Sequence, residues 1–276
     1  MHRINGPYPD YRFLVTPLVK ARKLSDTLFE TRGHVVEITI NRPAKSNALN
    51  ASVRQGLFEG FRRANDDPNC RVIILTAAGD RSFCAGADLV ELATQGVSSP
   101  PNDYLPILRK NIEMDKPVIA AVNGMALAGG FLLVQMCDLV VASNTASFAI
   151  TEARRGRGSP WAVPLMRQLP RRIMTELLVT GQPISAGRAY ELGFVNAVVD
   201  PSQLMARARE MALTIAANAP LTVKASLRMM QFADDMGLSM AERVADEIFK
   251  EVYLSEDAQE GPRAFMEKRE AVWKGR

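Results

Sequence analysis

The chain contains very little histidine and cysteine. Among its 276 residues there are only two histidines, His2 and His34, and three cysteines, Cys70, Cys84 and Cys137. The cysteines lack metal-ligand spacing and cannot all pair with one another. Zinc clusters and nucleophilic sites of the Cys-His or Ser-His-Asp type therefore have few residues to build on. Unpaired cysteines are typical of a reduced compartment, so we expect a cytoplasmic protein.

Long hydrophobic runs and an excess of charge are absent as well. No apolar stretch approaches the length that crosses a bilayer, and Thr16 and Pro17 interrupt the apolar residues near the N-terminus. We expect neither a membrane span nor secretion. Residues 1–26 are interpreted as a loose arm, and their basic residues leave an organellar transit peptide as the alternative. The net charge of +4, from 34 basic and 30 acidic residues, is too balanced for a tail that binds nucleic acid.

What the chain does contain is an alternation of strand and helix patterns, which predicts an α/β fold. Its length and its 47% hydrophobic content are sufficient for one large buried core. Residues 35–40 alternate as a half-buried strand, and residues 72–76 and 118–122 are apolar runs typical of buried parallel strands. A helix is predicted from about 51 to 64, short strands at 139–142 and 194–199, and almost only helix after residue 200.

Two glycine-containing turns, SFCAGADL at 82–89 and NGMALAGG at 123–130, each end an apolar run and open a predicted helix. Asp88, with Glu91 three residues later, fits a capping box and places the N–H of Ala87 beside a helix start. The N–H of Gly129 would point into the same space. Either turn alone fits a tight strand-to-helix connection, but two at the ends of adjacent parallel strands favour a ligand site.

Exposed backbone N–H groups at two helix starts can hold the negative charge that develops on a carbonyl oxygen. Small residues in both turns let a substrate approach the backbone. The competing interpretation is a phosphate-binding loop, but neither G-x-G-x-x-G nor Gly-Lys-Ser/Thr occurs. With Glu152 downstream, the pattern predicts an oxyanion hole for the enolate of a thioester.

Several motifs follow one another in a fixed order from about residue 35 to the C-terminus: NRP at 41–43, CAGAD at 84–88, KPVIAAVNG at 116–124, AGG at 128–130 and EGPRAFMEKR at 260–269. Together they resemble the enoyl-CoA hydratase/isomerase, or crotonase, family. The resemblance implies an α/β crotonase-like spiral of ββα units over residues 27–200. It also implies a helical region over residues 201–276 that forms trimers and caps CoA.

Substrate and site residues are implied by the same resemblance. The substrate is a coenzyme A thioester, no metal or redox cofactor is expected beyond CoA itself, and the partners are other copies in a homotrimer or a dimer of trimers. The oxyanion donors fall on the N–H groups of Ala87 and Gly129. Lys45 falls near the CoA phosphates, and Phe265 and Lys268 fall at the adenosine end of CoA in a neighbouring subunit. Further residues expected to line the substrate site are Ala85, Asp88, Leu132 and Trp161.

The carboxylates depart from the family pattern. Typical hydratases of the family hold one water between two glutamates; here the first position is Leu132 and the second is Glu152. The combination of Leu132, Glu152 and Trp161 resembles mitochondrial-type Δ3,Δ2-enoyl-CoA isomerases, although hydratases with one acid also exist. One base can face both the α- and the γ-carbon of a flat dienolate, so isomerisation is slightly favoured over single-acid hydration or dehydration.

The environment of Glu152 is also predictable, since Ile150 and Trp161 indicate a partly apolar pocket that raises the pKa of its carboxyl group. The alternative is a solvated or helix-capping glutamate. Three arginines, Arg154, Arg155 and Arg157, follow it directly. A solvated surface or an interface is slightly preferred for them over recognition of CoA phosphates or of a second carboxylate on the acyl group.

Two other function classes remain open besides an enzyme. One is a catalytically quiet protein that binds CoA thioesters, and the other is an RNA-binding protein, since the family includes such members. Glu152 argues against the quiet binder. The lack of a dense Lys/Arg stripe with interleaved aromatic residues argues against RNA. Cys84 is expected to be a small packed residue and not a nucleophile, because no histidine is near it in sequence.

Overall fold

The structure is a computed structural model that describes residues 22–24, 26–95 and 101–276. The predicted arm over residues 1–26 and the open question of a transit peptide lie mostly outside the described residues. Within that arm, β1 (Arg22–Leu24) pairs antiparallel with β2 (Thr27–Arg32). The end of the arm is therefore part of a sheet.

The described residues form two β-sheets. The strands after β2 are β3 (Val35–Ile40), β4 (Val72–Ala77), β5 (Ser82–Cys84), β6 (Val118–Val122), β7 (Met125–Leu127), β8 (Leu139–Ser143), β9 (Ser147–Ala149), β10 (Ile184–Ser185) and β11 (Ala197–Val199). The larger sheet has the order β1-β2-β3-β4-β6-β8-β11, and it is parallel from β3 onward. β4 and β6 are buried along their whole length, as expected for apolar strands covered on both faces.

Ten helices surround the sheets in the described part of the chain. They are α1 (Ala51–Asp66), α2 (Leu89–Gln95), α3 (Gly129–Gln135), α4 (Leu165–Gln168), α5 (Arg171–Thr180), α6 (Ala186–Glu191), α7 (Leu204–Ala216), α8 (Pro220–Asp235), α9 (Leu238–Tyr253) and α10 (Glu256–Glu267). α1 begins where the sequence predicts, because Asn50 Oδ1 accepts a hydrogen bond from the N–H of Val53 at 2.9 Å. None of these helices is long and apolar enough to cross a membrane.

The smaller sheet has the order β10-β9-β7-β5, in which β5, β7 and β9 are parallel. The run at 118–122 leads directly into the second glycine turn, as the sequence predicts, whereas residues 77–81 separate the run at 72–76 from the first turn. β5 follows β4 and β7 follows β6, and these two short strands pair with each other instead of extending the larger sheet. Each turn therefore contains a short strand of the smaller sheet, and its glycines at 86 or at 129 and 130 follow that strand.

The helices after residue 200 do not form one separate layer. Small residues of α7, Ala208 and Ala212, pack on the larger sheet against Ile74 and Ile119 in a second hydrophobic cluster. α8 packs along α9, and α10 packs on α9. Apolar side chains stay exposed on these last helices and the residues beside them, among them Leu238, Tyr253, Leu254, Phe265 and Met266. The domain boundary at residue 200 stays a prediction.

Candidate active site

Three parallel strands of the smaller sheet end at a common edge, and each is followed within three residues by one of the predicted catalytic groups. Ala87 follows β5, Gly129 follows β7 and Glu152 follows β9. Ligands of open α/β sheets bind outside the carboxyl ends of the strands. The pairing of β5, β7 and β9 therefore brings together three groups that lie far apart in sequence.

The two glycine turns pack backbone against backbone. A Cβ atom on Gly86 would lie 3.2 Å from the nitrogen of Gly129 and 2.9 Å from the Cβ of Ala128. Gly86 also has a φ of +89°, which favours glycine. A Cβ on Gly130 would overlap the carbonyl of Cys84. Both glycines are therefore required for the close approach of the turns.

The N–H of Ala87 is directed away from the neighbouring segment around Leu49. Leu49 donates its N–H to the carbonyl of Gly86 at 2.8 Å, and the N–H of Asp88 donates to the carbonyl of Leu49 at 3.4 Å. In this parallel pairing the residue between the two bonds, Ala87, faces the opposite side. Gly129 is the first residue of α3, where an N–H has no intrahelical partner. Neither N–H donates to an acceptor among the described residues.

Ala128, directly before Gly129, has an unusual backbone conformation. Its φ of 51° and ψ of −120° lie in a region that costs a non-glycine residue about 1–3 kcal/mol. The conformation is held because the N–H of Ala128 donates to the carbonyl of Ala149 at the end of β9, at 2.9 Å. The strain therefore lies between Gly129, a predicted oxyanion donor, and the strand that leads to Glu152.

Asp88 braces the first turn. Its Oδ1 accepts from the N–H groups of Val90 and Glu91, which confirms the predicted cap, and its Oδ2 lies 2.9 Å from Arg42. The Arg42 hydrogen bond is the main cause that lowers the pKa of this carboxyl group. In place of the reciprocal bond of a capping box, the N–H of Asp88 donates to the carbonyl of Leu49, and the Glu91 carboxylate accepts from the N–H of Ala51. The carboxylate of Asp88 thus holds the turn, and its predicted place in the substrate site stays a prediction.

Glu152 begins the short 3₁₀ turn Glu152–Arg155 and is 9% exposed. Its Oε1 accepts from Nε1 of Trp161 at 2.7 Å, whereas its Oε2 is buried with no hydrogen-bond partner in the described part of the chain. Burial raises the pKa of the carboxyl group, and the indole hydrogen bond partly opposes that rise. The predicted burial of the carboxyl group is confirmed, and the alternative of a solvated glutamate is wrong.

Trp161 connects Glu152 to α3. The carbonyl of Trp161 accepts from Nε2 of Gln135 at 2.7 Å, and its ring packs edge-on against Phe131 with centroids 6.2 Å apart. Because α3 begins at Gly129, the acid and one oxyanion donor share a single support. Sequence reasoning missed Gln135, whose only signal is that it is polar in the otherwise apolar helix α3.

The space beside the donors is apolar. Leu132 is buried one turn of α3 after Gly129. A Cβ on Gly129 would lie 3.1 Å from Cδ1 of Leu49 and 3.4 Å from Cδ1 of Leu105. Leu105 was not predicted, because nothing in its sequence neighbourhood marks it. A second carboxylate is therefore missing at the position where the resemblance places one.

Comparison with known proteins shows the family of the chain. A model of the enoyl-CoA hydratase/isomerase family matches residues 30–276. The chain belongs to this family. It is 42% identical to the enoyl-CoA hydratase EchA19 of Mycobacterium tuberculosis over 88% of this chain and 94% of that protein. It is 40% identical to a carnitinyl-CoA dehydratase of Proteus mirabilis over 89% of this chain and 97% of that protein.

Solved structures confirm the predicted fold class. The enoyl-CoA hydratase EchA1 of Mycobacterium marinum superposes with a TM-score of 0.85 at 36% identity, covering 91% of this chain and all of that one. An enoyl-CoA hydratase/isomerase of Mycobacterium paratuberculosis gives a TM-score of 0.84 at 35% identity, covering 92% of this chain and all of that one. The protein is therefore an α/β member of the family with the crotonase-like fold and with helices at its C-terminus.

The residues expected to contact CoA lie at the periphery of this family member. Lys45 is exposed beside an open cavity of about 530 Å³ that Asp88 also lines. Phe265 is 86% exposed on α10. Lys268 lies one residue beyond the end of α10 with a φ of 55°. The spacing of three residues predicts that Phe265 and Lys268 share one face of a terminal helix, and this prediction is wrong because the helix stops at Glu267.

The remaining residues singled out by sequence lie apart from this chemistry. Nε of Arg154 donates to the carbonyl of Thr180, and its stem packs against Gly181, so this side chain holds the end of α5. Arg155 is exposed, as the surface interpretation predicts. The N–H of Arg157 donates to the carbonyl of Glu152 at 3.0 Å and so closes the turn of the acid.

Two residues of the first turn, Cys84 and Ala85, have structural contacts. Cys84 is buried, and burial raises the pKa of its thiol to about 12, which confirms a packed residue and not a nucleophile. Ala85 donates its N–H to the carbonyl of Ser46 at 3.1 Å. Ala85 thus fixes the turn to the loop that carries Lys45.

Proposed function

We propose that this protein uses Glu152 as the only acid/base on an enoyl-CoA thioester and shifts its double bond between the 3- and the 2-position. The thioester carbonyl oxygen would lie between the N–H groups of Ala87 and Gly129. The observation that carries the proposal is the buried carboxylate of Glu152, one oxygen of which has no hydrogen-bond partner among the described residues, combined with Leu132 where a second carboxylate would stand.

The reaction needs nothing that the site lacks. Oε2 of Glu152 takes a proton from the α-carbon, and the negative charge passes to the thioester carbonyl oxygen. Oε2 then returns the proton to the γ-carbon. Each oxyanion donor is typically worth about 3–4 kcal/mol of barrier. A positioned base contributes roughly 10²–10⁴-fold, or about 3–6 kcal/mol. A carboxyl pKa raised by burial favours proton transfer near neutral pH. Water is neither added nor lost, and no cofactor beyond CoA is required.

A second candidate is single-acid hydration or dehydration. It is favoured by the names of the relatives, a hydratase in Mycobacterium tuberculosis and a carnitinyl-CoA dehydratase in Proteus mirabilis. This chemistry would require a water molecule beside Leu132 that only Glu152 activates. The apolar surroundings of Gly129 weigh against a bound water there, because a buried water needs two to four polar partners.

We further propose that the chain forms homotrimers, alone or in pairs, in which the C-terminal helices of a neighbour complete the CoA site. The exposed apolar residues of α9 and α10 support this assembly. The three buried free thiols support a reducing, cytoplasmic setting. Light scattering at micromolar concentration tests the assembly, and a fully active monomer would contradict it.

The two chemistries are separated by products. Panels of 3-enoyl-CoA and 2-enoyl-CoA thioesters are incubated with the protein in ¹⁸O-labelled water and resolved by chromatography with mass detection. We expect the positional isomer without a change of mass. A product that gains one ¹⁸O would favour the hydratase, and a panel that stays unconverted while the protein still binds CoA thioesters would favour the quiet binder.

A further inference from the structure

Trp161 contacts the acid at one oxygen only. Its Nε1 donates to Oε1 of Glu152 at 2.7 Å, whereas the other carboxylate oxygen, Oε2, is buried and unpaired in the described part of the chain. A terminal carboxylate torsion is broad, so a glutamate without such a contact turns and exchanges its two oxygens. The indole N–H removes this freedom because it can only donate, and the carbonyl oxygen of a neutral carboxyl group accepts such a bond better than the hydroxyl oxygen does, so the contact favours an unprotonated oxygen at this position.

We propose that Trp161 is a positioning residue that assigns the two oxygens of Glu152 different tasks: Oε1 is held by the indole, and Oε2 alone carries the proton. The inference rests on the proposed function of Glu152 as the base. When the α-proton arrives on Oε2, Oε1 becomes the carbonyl oxygen of a neutral acid and keeps its hydrogen bond. When the proton leaves for the γ-carbon, the carboxylate is restored without rotation.

α3 contacts Trp161 at two points, its backbone carbonyl and its indole ring. Nε2 of Gln135 donates to the carbonyl of Trp161 at 2.7 Å, and the ring of Phe131 meets the indole edge-on. Since α3 begins at Gly129, this support sets the position of Oε2 relative to an oxyanion donor. A single base that serves two carbons needs such a fixed distance, because both proton transfers take place at one oxygen.

Charged groups near the turn do not provide this control. α3 carries no titratable residue. Arg154, Arg155 and Arg157 share the turn of Glu152, and α5, which packs on that turn, carries Arg171, Arg172 and Glu176. None of these charges is among the causes that shift the pKa of Glu152, which are burial, the indole hydrogen bond and a backbone hydrogen bond. The indole is thus the one side chain of the described residues that adjusts the acid directly.

The chain offers a matched control for a test. Its only other tryptophan, Trp273, also donates from Nε1 at 2.7 Å, but to the carbonyl of Ala217. The variants Trp161→Phe and Trp273→Phe each remove one N–H donor and keep an aromatic ring. For Trp161→Phe we expect the acidic limb of the kcat/KM profile to move up by about one to two pH units, since the lost bond stabilises the carboxylate. At neutral pH kcat should fall about tenfold or more with a smaller change in KM, whereas Trp273→Phe should leave both unchanged.

A second measurement is independent of turnover. In the Trp273→Phe variant Trp161 is the only remaining tryptophan, so the fluorescence of the protein reports on the carboxyl group that the Trp161 indole contacts. We expect the emission to titrate with the midpoint of the kinetic acidic limb, and the added substitution Glu152→Gln to abolish that titration. This measurement also decides the matter if Trp161→Phe does not fold.

The proposal is overturned by a folded Trp161→Phe protein with the wild-type acidic limb and kcat, or by an emission of Trp161 that does not respond to Glu152. A different result would remove the proposed function instead: full turnover in Glu152→Gln. In that case the emission can still titrate, so the two failures are distinguishable.

Discussion

The nitrogen of Gly129 lies against Gly86, and a Cβ atom at Gly86 would approach it to 3.2 Å. This contact joins the two turns that supply the oxyanion donors. Because the backbone at Gly86 has a φ of +89°, both the space and the conformation at this position favour glycine. The predicted site therefore depends on a contact that carries no functional group of its own.

We expect Gly86→Ala to separate the two donors. The added methyl group would lie 3.0 Å from the carbonyl of Leu127 and closer still to Ala128, and the positive φ adds strain of about 1–3 kcal/mol. Stability should fall, and kcat should fall at least about tenfold because the donors are no longer aligned. Gly193→Ala is the control, since Gly193 has a φ of +81° with nothing within 4 Å of a Cβ. It should lose stability and keep kcat; equal kcat values in both variants would argue against the contact.

The raised pKa of Glu152 predicts a dependence of stability on pH. A carboxyl group whose pKa is higher in the folded than in the unfolded state stabilises the fold below the ordinary glutamate pKa of 4.5, and this contribution is lost as the pH rises through the folded-state value. Glu152→Gln cannot ionise. As the pH rises from about 4 to about 8, the melting temperature of this variant should therefore increase relative to that of the wild type. A constant difference over that range would show that burial does not perturb this group.

We expect Leu132→Glu to introduce or increase the addition of water to 2-enoyl-CoA. The new carboxylate would stand one turn after Gly129, where it could hold a water molecule together with Glu152. Burial of a charge in this apolar position will cost stability, so folding is checked first by thermal unfolding. Leu132→Gln serves as the neutral control. Incorporation of ¹⁸O by the glutamate variant and not by the glutamine variant is the expected result, and equal products would mean that residue 132 does not face the water position.

Phe265 and Lys268 test the expected adenosine contacts of CoA. Both are exposed, and they remain near each other in sequence although Lys268 lies beyond the end of α10. The double variant with alanine at both positions should raise KM more than it lowers kcat, because these groups would bind a part of the substrate that does not change in the transition state. A short pantetheine thioester, which lacks adenosine, should be converted equally by the variant and the wild type. An unchanged KM for the full CoA thioester would place CoA elsewhere.

Helices and strands with a clear pattern of apolar residues were predictable from the sequence, whereas long-range contacts were not. β3 covers the residues predicted for it, but five of its six residues are buried, so the expectation of a half-buried strand is wrong. α1 starts at the expected Ala51, because the capping Asn50 is a local property. β5 and β7 were missed as separate strands, since three residues carry no recognisable period. The residues of the two turns were found from their glycines.

The surroundings of Glu152 show the same difference between local features, which the sequence predicts, and contacts between distant residues, which it does not. Glu152 and the burial of its carboxyl group could be predicted from neighbouring residues, but the link from Trp161 to Gln135 joins two elements that only the fold brings together. The engagement of Glu91 with α1 is likewise a contact across 40 positions, where local capping chemistry predicts a different partner. Lys268 was placed on a helix because nothing in its sequence marks the left-handed residue that ends α10.

The central claim, that one carboxylate performs the chemistry, is tested most directly by the turnover of Glu152→Gln on a 3-enoyl-CoA thioester. The amide keeps the size of the side chain and an oxygen for the indole N–H of Trp161, so folding and affinity for CoA thioesters should persist. We expect kcat to fall by at least roughly 10²-fold, the loss typical of a missing acid/base group. Turnover close to that of the wild type, in a variant that folds and binds substrate, would contradict the account.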